Sequence, residues 1–478
     1  MAKYTWKSIS ATISIFSAVL IFQGANGIVE AYITEGAPLW VQFLVSVVHL
    51  LLWFVGLQLD LAVITGVVKV PCFDPRFDDL EIMESRLKTF AILMGHTTGF
   101  AAINCFATFQ QLVPRNFLTT FLVAPLAWLL LYSFGRVTDS VRERVALLGD
   151  NEKTKNEEMW DEEIEETEDD VIGLAVSFCF VQSVRFLVGG TLPNPEGEEP
   201  DEVMVSHSDM QSLTLITVGC LLGLFEALRV LYIKKTIERI TPQGKNIIAM
   251  TLSWCIFFGT DGFLSHNLFT HEHGMMKTVT LALTVTVVAL AMIFALEQLQ
   301  DCKHIDDSID EAIRAVVNAI GILIGFAWEK AFDVAVAEIT AKVDVLPDPV
   351  TKMLLAILLA GTVVPAWYRH ILPVIIAMEA EEERENEGSK EGEALGDVAE
   401  AEEGKKGTLS EPLLSEKNNE KAELIATFES YKKTIAELEE EAARANELEQ
   451  KNRELENAIG TINQELGELQ KLAAILHN

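Results

Sequence analysis

The chain has 478 residues, half of them hydrophobic, and a formal charge of −33 at pH 7. Its apolar residues come in blocks of about 18 or more, long enough to cross a bilayer, which excludes a purely soluble multidomain protein. The acidity gathers mainly in 150–170, 195–209 and 379–478, and it excludes a nucleic-acid partner, because phosphate binding needs clustered Lys and Arg.

The first block, 9–30, follows Lys3 and Lys7 and ends near Gly24 and Ala25, as a signal peptide would. A retained span is the favoured reading, because Ile21–Gly27 matches Ile256–Gly262 at four of seven positions, a pattern a removed peptide does not need. The remaining spans are expected at 39–66, 89–111, 117–135, 171–190, 211–232, 246–266, 276–297, 313–338 and 351–377. The ten fall into five helical hairpins, 9–66, 89–135, 171–232, 246–297 and 313–377, whose short links predict antiparallel neighbours. Pro38, Pro114, Pro193 and Pro347 stand in four of those links, near the start of the returning helix where Pro is tolerated.

Basic residues orient the bundle. Lys69, Arg76, Arg86, Lys88, Arg136, Arg142, Arg144, Lys234, Lys235 and Arg239 fall on the side of the N-terminus, whereas only Arg115, Lys277, Lys342 and Lys352 fall opposite. Both termini are therefore expected in the cytosol. On this topology the acidic loop 195–209 faces the lumen or exterior, either simply solvated or attracting cations. Glu226 and Arg229, three apart, are expected to pair, and His49 is the ionisable residue nearest the middle of a returning span.

A small–aromatic–small motif recurs in the outgoing helices. Gly99-Phe100-Ala101, Ser177-Phe178-Cys179, Ser253-Trp254-Cys255 and Gly325-Phe326-Ala327 lie 78, 76 and 72 residues apart, and the weaker first copy begins at Ala18. A steady period signals stacked units of one design. Aligned on the motif, one column reads Gln23, Asn104, Gln182, Phe258, Lys330, and the column three later reads Asn26, Ala107, Arg185, Asp261, Asp333. Residues three apart share a helix face. The column between them, Gly24, Cys105, Ser183, Gly259 and Ala331, is small, as where membrane helices approach closely. In the last copy Glu329, Lys330 and Asp333 stand inside an apolar run, where a charge costs about 2.5–3.5 kcal/mol and needs partners or water. A local pair of Lys330 with Asp333 is the expected partner.

Loop 265–277 holds His266, His271 and His273, which are candidate metal ligands only, since their spacing matches no standard site. The six cysteines show no CxxC or Cys/His spacing, so no zinc module or disulfide framework is indicated. Residues 379–420 are rich in Glu and Gly and poor in apolar side chains, as in a disordered linker. Over 421–478 apolar residues recur four and three apart. Ile435, Leu438, Leu455, Ile459 and Leu466 build the seam of a coiled coil, and Asn452 at an a position favours two strands.

The reading is an all-α membrane protein of about ten spans, 1–378, carrying a cytosolic coiled coil that makes it an oligomer or holds a cytosolic partner. No catalytic constellation, phosphate-cradling motif or cofactor motif appears, so no enzyme and no cofactor is expected. The expected function is transport, as an ion channel or ion-coupled transporter with a preference for cations or protons. Gln23, Asn26, Asn104, Gln182, Arg185, Asp261, Glu329, Lys330 and Asp333 would line its pathway. The alternative is a membrane-anchored tether that acts through the coiled coil.

Overall fold

A computed structural model describes residues 2–68, 80–146, 153–232, 240–269, 274–300, 307–340, 342, 346–375 and 378. The expected linker, the coiled coil with Ile435, Leu438, Asn452, Leu455, Ile459 and Leu466, and the loop residues His271 and His273 lie outside them.

Among the described residues the secondary structure is entirely helical. α1 (Ala2–Val29) runs into a π-helical turn, Glu30–Thr34, and is followed by α2 (Leu39–Ile64), α3 (Leu80–Leu112), α4 (Phe117–Ala146) and α5 (Lys155–Gly189). A short α6 (Asp201–Ser206) precedes α7 (Asp209–Tyr232), α8 (Ile240–Asn267), α9 (Met275–Gln300), α10 (Asp307–Thr340) and α11 (Asp348–His370). The starts have local causes. Pro38 and Pro347 precede α2 and α11, and the Asn116 side chain accepts from the Thr119 N–H at the head of α4.

Among the described residues eight helical segments are long and apolar enough to cross a membrane, which makes the chain an integral membrane protein. They are Ile9–Thr34, Leu39–Ile64, Met83–Leu112, Phe117–Ala146, Lys155–Gly189, Gln243–Asn267, Met275–Leu296 and Asp348–Ile375. The expectation was ten. α7 and α10 are helical where the other two spans were expected and are not among the eight found in the described residues.

The packing follows a simple order. α1, α3, α5, α8 and α10 each touch the next, and α10 closes back onto α1, so the five make a ring. Outside it, α2 packs mainly on α3, α4 on α5, α7 on α8, α9 on α10 and α11 on α1. Each outer helix thus lies chiefly against the inner helix that follows it around the ring, and only lightly against the one that precedes it in its expected hairpin. The small residues explain the choice of groove. A methyl group at Gly259 of α8 would lie 2.5 Å from Ile216 and 3.1 Å from the Ser212 carbonyl oxygen, both on α7, so that helix seats where α8 has no side chain.

The ring is filled by the motif aromatics. Phe178 and Trp254 have centroids 5.3 Å apart, Trp254 and Phe326 4.9 Å, and Phe326 and Phe100 6.0 Å, with Phe257 edge-on to Phe326 at 5.1 Å. Rings at these separations and tilts add about 0.5–1.5 kcal/mol per pair beyond burial.

One difference from the sequence reading concerns the acidic stretch 155–170, expected outside the helix 171–190. It forms the first turns of α5, opened by a capping box in which Thr154 and Glu157 exchange hydrogen bonds. Its charge is absorbed by neighbours. Arg142, 2% exposed, bonds Glu168 at 3.0 Å and Asp161 at 2.8 Å and also pairs with Asp139; Gln58 and Thr138 donate to Glu168 at 2.8 and 2.7 Å. Gln243 of α8 donates to the buried Asp169 at 2.6 Å.

Candidate functional site

The ring encloses a cavity of about 410 Å³ beyond the aromatic layer, on the side where α5 ends. All five inner helices line it: Gln23 and Asn26 from α1, Asn104 from α3, Arg185 from α5, Asp261 from α8, and Lys330 and Asp333 from α10. Phe100, Phe178 and Phe326 are also in its wall, where the cavity meets the aromatic layer. Seven of the nine residues singled out in the sequence therefore share one space. The other two do not face it. Gln182 is buried, donating to the Asn194 carbonyl oxygen at 3.0 Å and accepting from Arg185 at 3.3 Å. Glu329 is 0% exposed, and neither carboxylate oxygen has a hydrogen-bond partner among the described residues.

The connection after α5 completes the wall. Pro195–Glu199 turns inward and lines the cavity, with Gly197 at φ +84°, a conformation that favours glycine. A methyl group there would stand 3.0 Å from both Phe178 and Phe258, so the loop backbone rests directly on the aromatic layer. The acidic loop is thus more than a solvated connection. Arg185 holds it, donating to the Gly197 carbonyl oxygen and to Glu199 at 2.7 Å each, while its guanidinium lies 3.9 Å from the centroid of the Phe258 ring. His207 meets the other Glu199 oxygen at 2.7 Å.

The expected local pair of Lys330 with Asp333 does not form. Each reaches another element instead: Lys330 pairs with Glu198 of the loop at 3.2 Å, and Asp333 with Lys352 of α11 at 3.3 Å. Lys277 of α9 pairs with Asp261 at 3.1 Å. Side chains that face a polar cavity extend across it, where partners from other helices lie, rather than folding back along their own helix. Asn104 donates to Asn26 at 3.1 Å, and Asn26 to Glu30 at 2.6 Å, which ties α3, α1 and the π turn along one wall. The lining carries six carboxylates (Glu30, Glu196, Glu198, Glu199, Asp261, Asp333) against four cations (Arg185, Lys277, Lys330, Lys352), and every cation is paired.

The loop carboxyls differ in acidity. The Lys330 charge, with its hydrogen bond, holds Glu198 below the ordinary carboxylate range. Burial acts to raise Glu199, but the His207 hydrogen bond and the Arg185 charge prevail and leave it below that range. Burial raises Glu196 above it.

Glu30, Lys277, Lys352 and the Glu198–Glu199 pair were not picked out from the sequence as lining residues. Lys277 and Lys352 did carry a signal, as two of the few basic residues on their side of the bundle. Of the candidate metal ligands, His266 lies 3.1 Å from the Val205 carbonyl oxygen through Nδ1. Among the described residues no cluster of His, Cys, Asp or Glu is arranged to hold a metal. His49 is met by Trp53 Nε1 at 2.8 Å and stacks on Phe22, and Arg229 grips Glu226 through two hydrogen bonds, as their spacing predicted.

No protein-family model, curated protein or solved structure matches the chain.

Proposed function

We propose that this is a membrane transport protein, an ion channel or ion-coupled transporter that favours cations or protons. One observation carries the reading: a cavity walled by polar or charged side chains from all five ring helices ends on a layer of aromatic rings at the ring's centre. Polar cavities inside membrane bundles are costly and mark solute pathways. Apolar constrictions close such pathways by excluding water. In this reading the cavity is the entry chamber, the aromatic layer is its shut gate, and the excess of carboxylates favours cations. α7 and α10 complete ten spans as five inner and outer pairs of one repeated design. Both termini lie in the cytosol, where the C-terminal coiled coil sets subunit number or holds a partner.

The test is flux in proteoliposomes under imposed proton, K⁺, Na⁺ and Cl⁻ gradients, with wild type beside folded Asp333→Asn and Lys330→Gln. A wild-type flux that these substitutions abolish or reselect is the expected result. Absence of flux under every gradient, with variants that are merely less stable, would overturn it and leave the tethering role of the coiled coil.

A further inference from the structure

Glu329 is a wholly buried carboxyl whose two oxygens have no hydrogen-bond partner among the described residues. It stands three residues after Phe326 and four before Asp333, so all three share one side of α10. Phe326 and Asp333 both line the cavity. Glu329 therefore lies one turn behind the cavity wall, at the level where the polar chamber gives way to the aromatic layer.

An ionised carboxylate at such a place is strongly disfavoured unless a positive partner or donors meet it. The cations nearby are committed elsewhere: Lys330 to Glu198, and Lys352 to Asp333. The other charges around the cavity are Glu30 of the π turn, Glu196 of the loop, the Arg185–Glu199 pair, and the Asp261–Lys277 pair of α8 and α9. A metal ion in place of a missing partner would need several oxygen ligands in contact with it. Among the described residues no such cluster exists, and Glu329 has no open surface at which to complete a hydration shell. One cation needs neither ligands nor space.

Resting on the transport reading above, we infer that Glu329 is a proton-binding site and that the proton is the species carried or coupled. The exchange is a simple acid–base step. A hydronium ion in the cavity gives its proton to a Glu329 oxygen and leaves a water molecule, and the carboxylate becomes a neutral acid. Loaded, the side chain suits a buried position without hydrogen-bond partners among the described residues; unloaded, it is driven to turn towards the cavity that Asp333 lines. Asp333, one turn nearer the mouth, is placed to relay the proton.

Two measurements on the full-length protein in liposomes test this. A pH-sensitive dye reports proton flux under an imposed pH gradient with the potential clamped, for wild type, Glu329→Gln and Glu329→Asp. Infrared difference spectroscopy between acid and alkaline buffer reports the carbonyl stretch of a protonated carboxyl. We expect proton flux to fall to the level of empty liposomes in Glu329→Gln and to survive, reduced, in Glu329→Asp. A titrating carboxyl band should be present in wild type, shift in D₂O and vanish in Glu329→Gln. Proton flux equal to wild type in a folded Glu329→Gln, or flux of another ion without protons, would overturn the inference and leave the transport reading standing. If no ion moves at all, the transport reading fails, and absence of the band in wild type overturns the proton site with it, whereas a band lost in Glu329→Gln upholds the site.

Discussion

The seam between α10 and α1 closes the ring, and it is tight enough to make a single methyl group decisive. A Cβ added at Gly325 would stand 1.8 Å from Ile15 Cγ2 and 2.6 Å from the Thr12 carbonyl oxygen. Ordinary carbon contacts lie at about 3.5–4.0 Å, so the helices must part by about 1.5–2 Å or Ile15 must leave its rotamer. Turning Ile15 relieves the first clash and leaves the second, which is with backbone. Overpacking of this kind costs about 1–3 kcal/mol. Gly361 of α11 is the control, because no heavy atom lies within 4 Å of its added Cβ; alanine there should gain up to about 1 kcal/mol of helix propensity. The assay is the folded fraction in detergent after a heating series, read by size exclusion. Gly325→Ala should melt below wild type and Gly361→Ala at or above it. Equal melting of the two variants would show that α10 and α1 do not approach as described, and the ring would have to be redrawn.

Two further predictions concern charge. Arg142→Met removes the counter-charge of the buried Glu168 and should cost about 3–5 kcal/mol, whereas adding Glu168→Gln should recover much of the loss; thermal melting of both variants checks this, and an equally unstable double variant would contradict it. The docked loop depends on Glu199, whose folded acidity lies below the ordinary range, so its stabilisation is complete above the unfolded pKa of about 4.3 and is lost as pH falls through the lower, folded value. Hydrogen exchange of the 190–200 amides should therefore quicken in that acid window in wild type and already be fast near neutrality in Glu199→Gln; protection unchanged by the substitution would refute this.

The helical, membrane-spanning character was legible from the length of the apolar blocks alone. The shared cavity was legible as well, through two polar columns three residues apart, because helical spacing fixes which side chains share a face whatever the neighbours are. Partners were not. Lys330 finds Glu198 across 132 residues of sequence, and nothing local to either side chain announces it. Glu329 and Gln182 stand beside the lining residues in sequence, yet a rotation of a few tens of degrees about each helix axis turns them into protein. The acidic start of α5 was misread for a related reason: its carboxylates are tolerable inside only because Arg142, Gln58 and Gln243 arrive from three other helices. Which inner helix each outer helix would choose was also hidden, since a short link brings two helices near each other but small residues such as Gly259 decide where one can seat.

Closure of the ring has a consequence for how the protein is made. α1 leaves the ribosome well before α10 and α11, yet it is tied to both: Thr12 donates to the Gly321 carbonyl oxygen, 309 residues on, and Trp367 donates to Ser10, 357 residues on. The entropy of closing so long a loop grows only logarithmically and is no great obstacle. Waiting in lipid is the harder matter, because hydroxyls in hydrocarbon have no water to bond until their partners arrive. For most of its synthesis the nascent bundle is an open arc with a polar edge. Hydroxyls such as Ser14 can wait bonded to their own helix, as Ser14 is to the Ala11 carbonyl oxygen, but the seats for α10 and α11 stay open, and a chain cut short before Asp348 would present that unclosed edge to the bilayer.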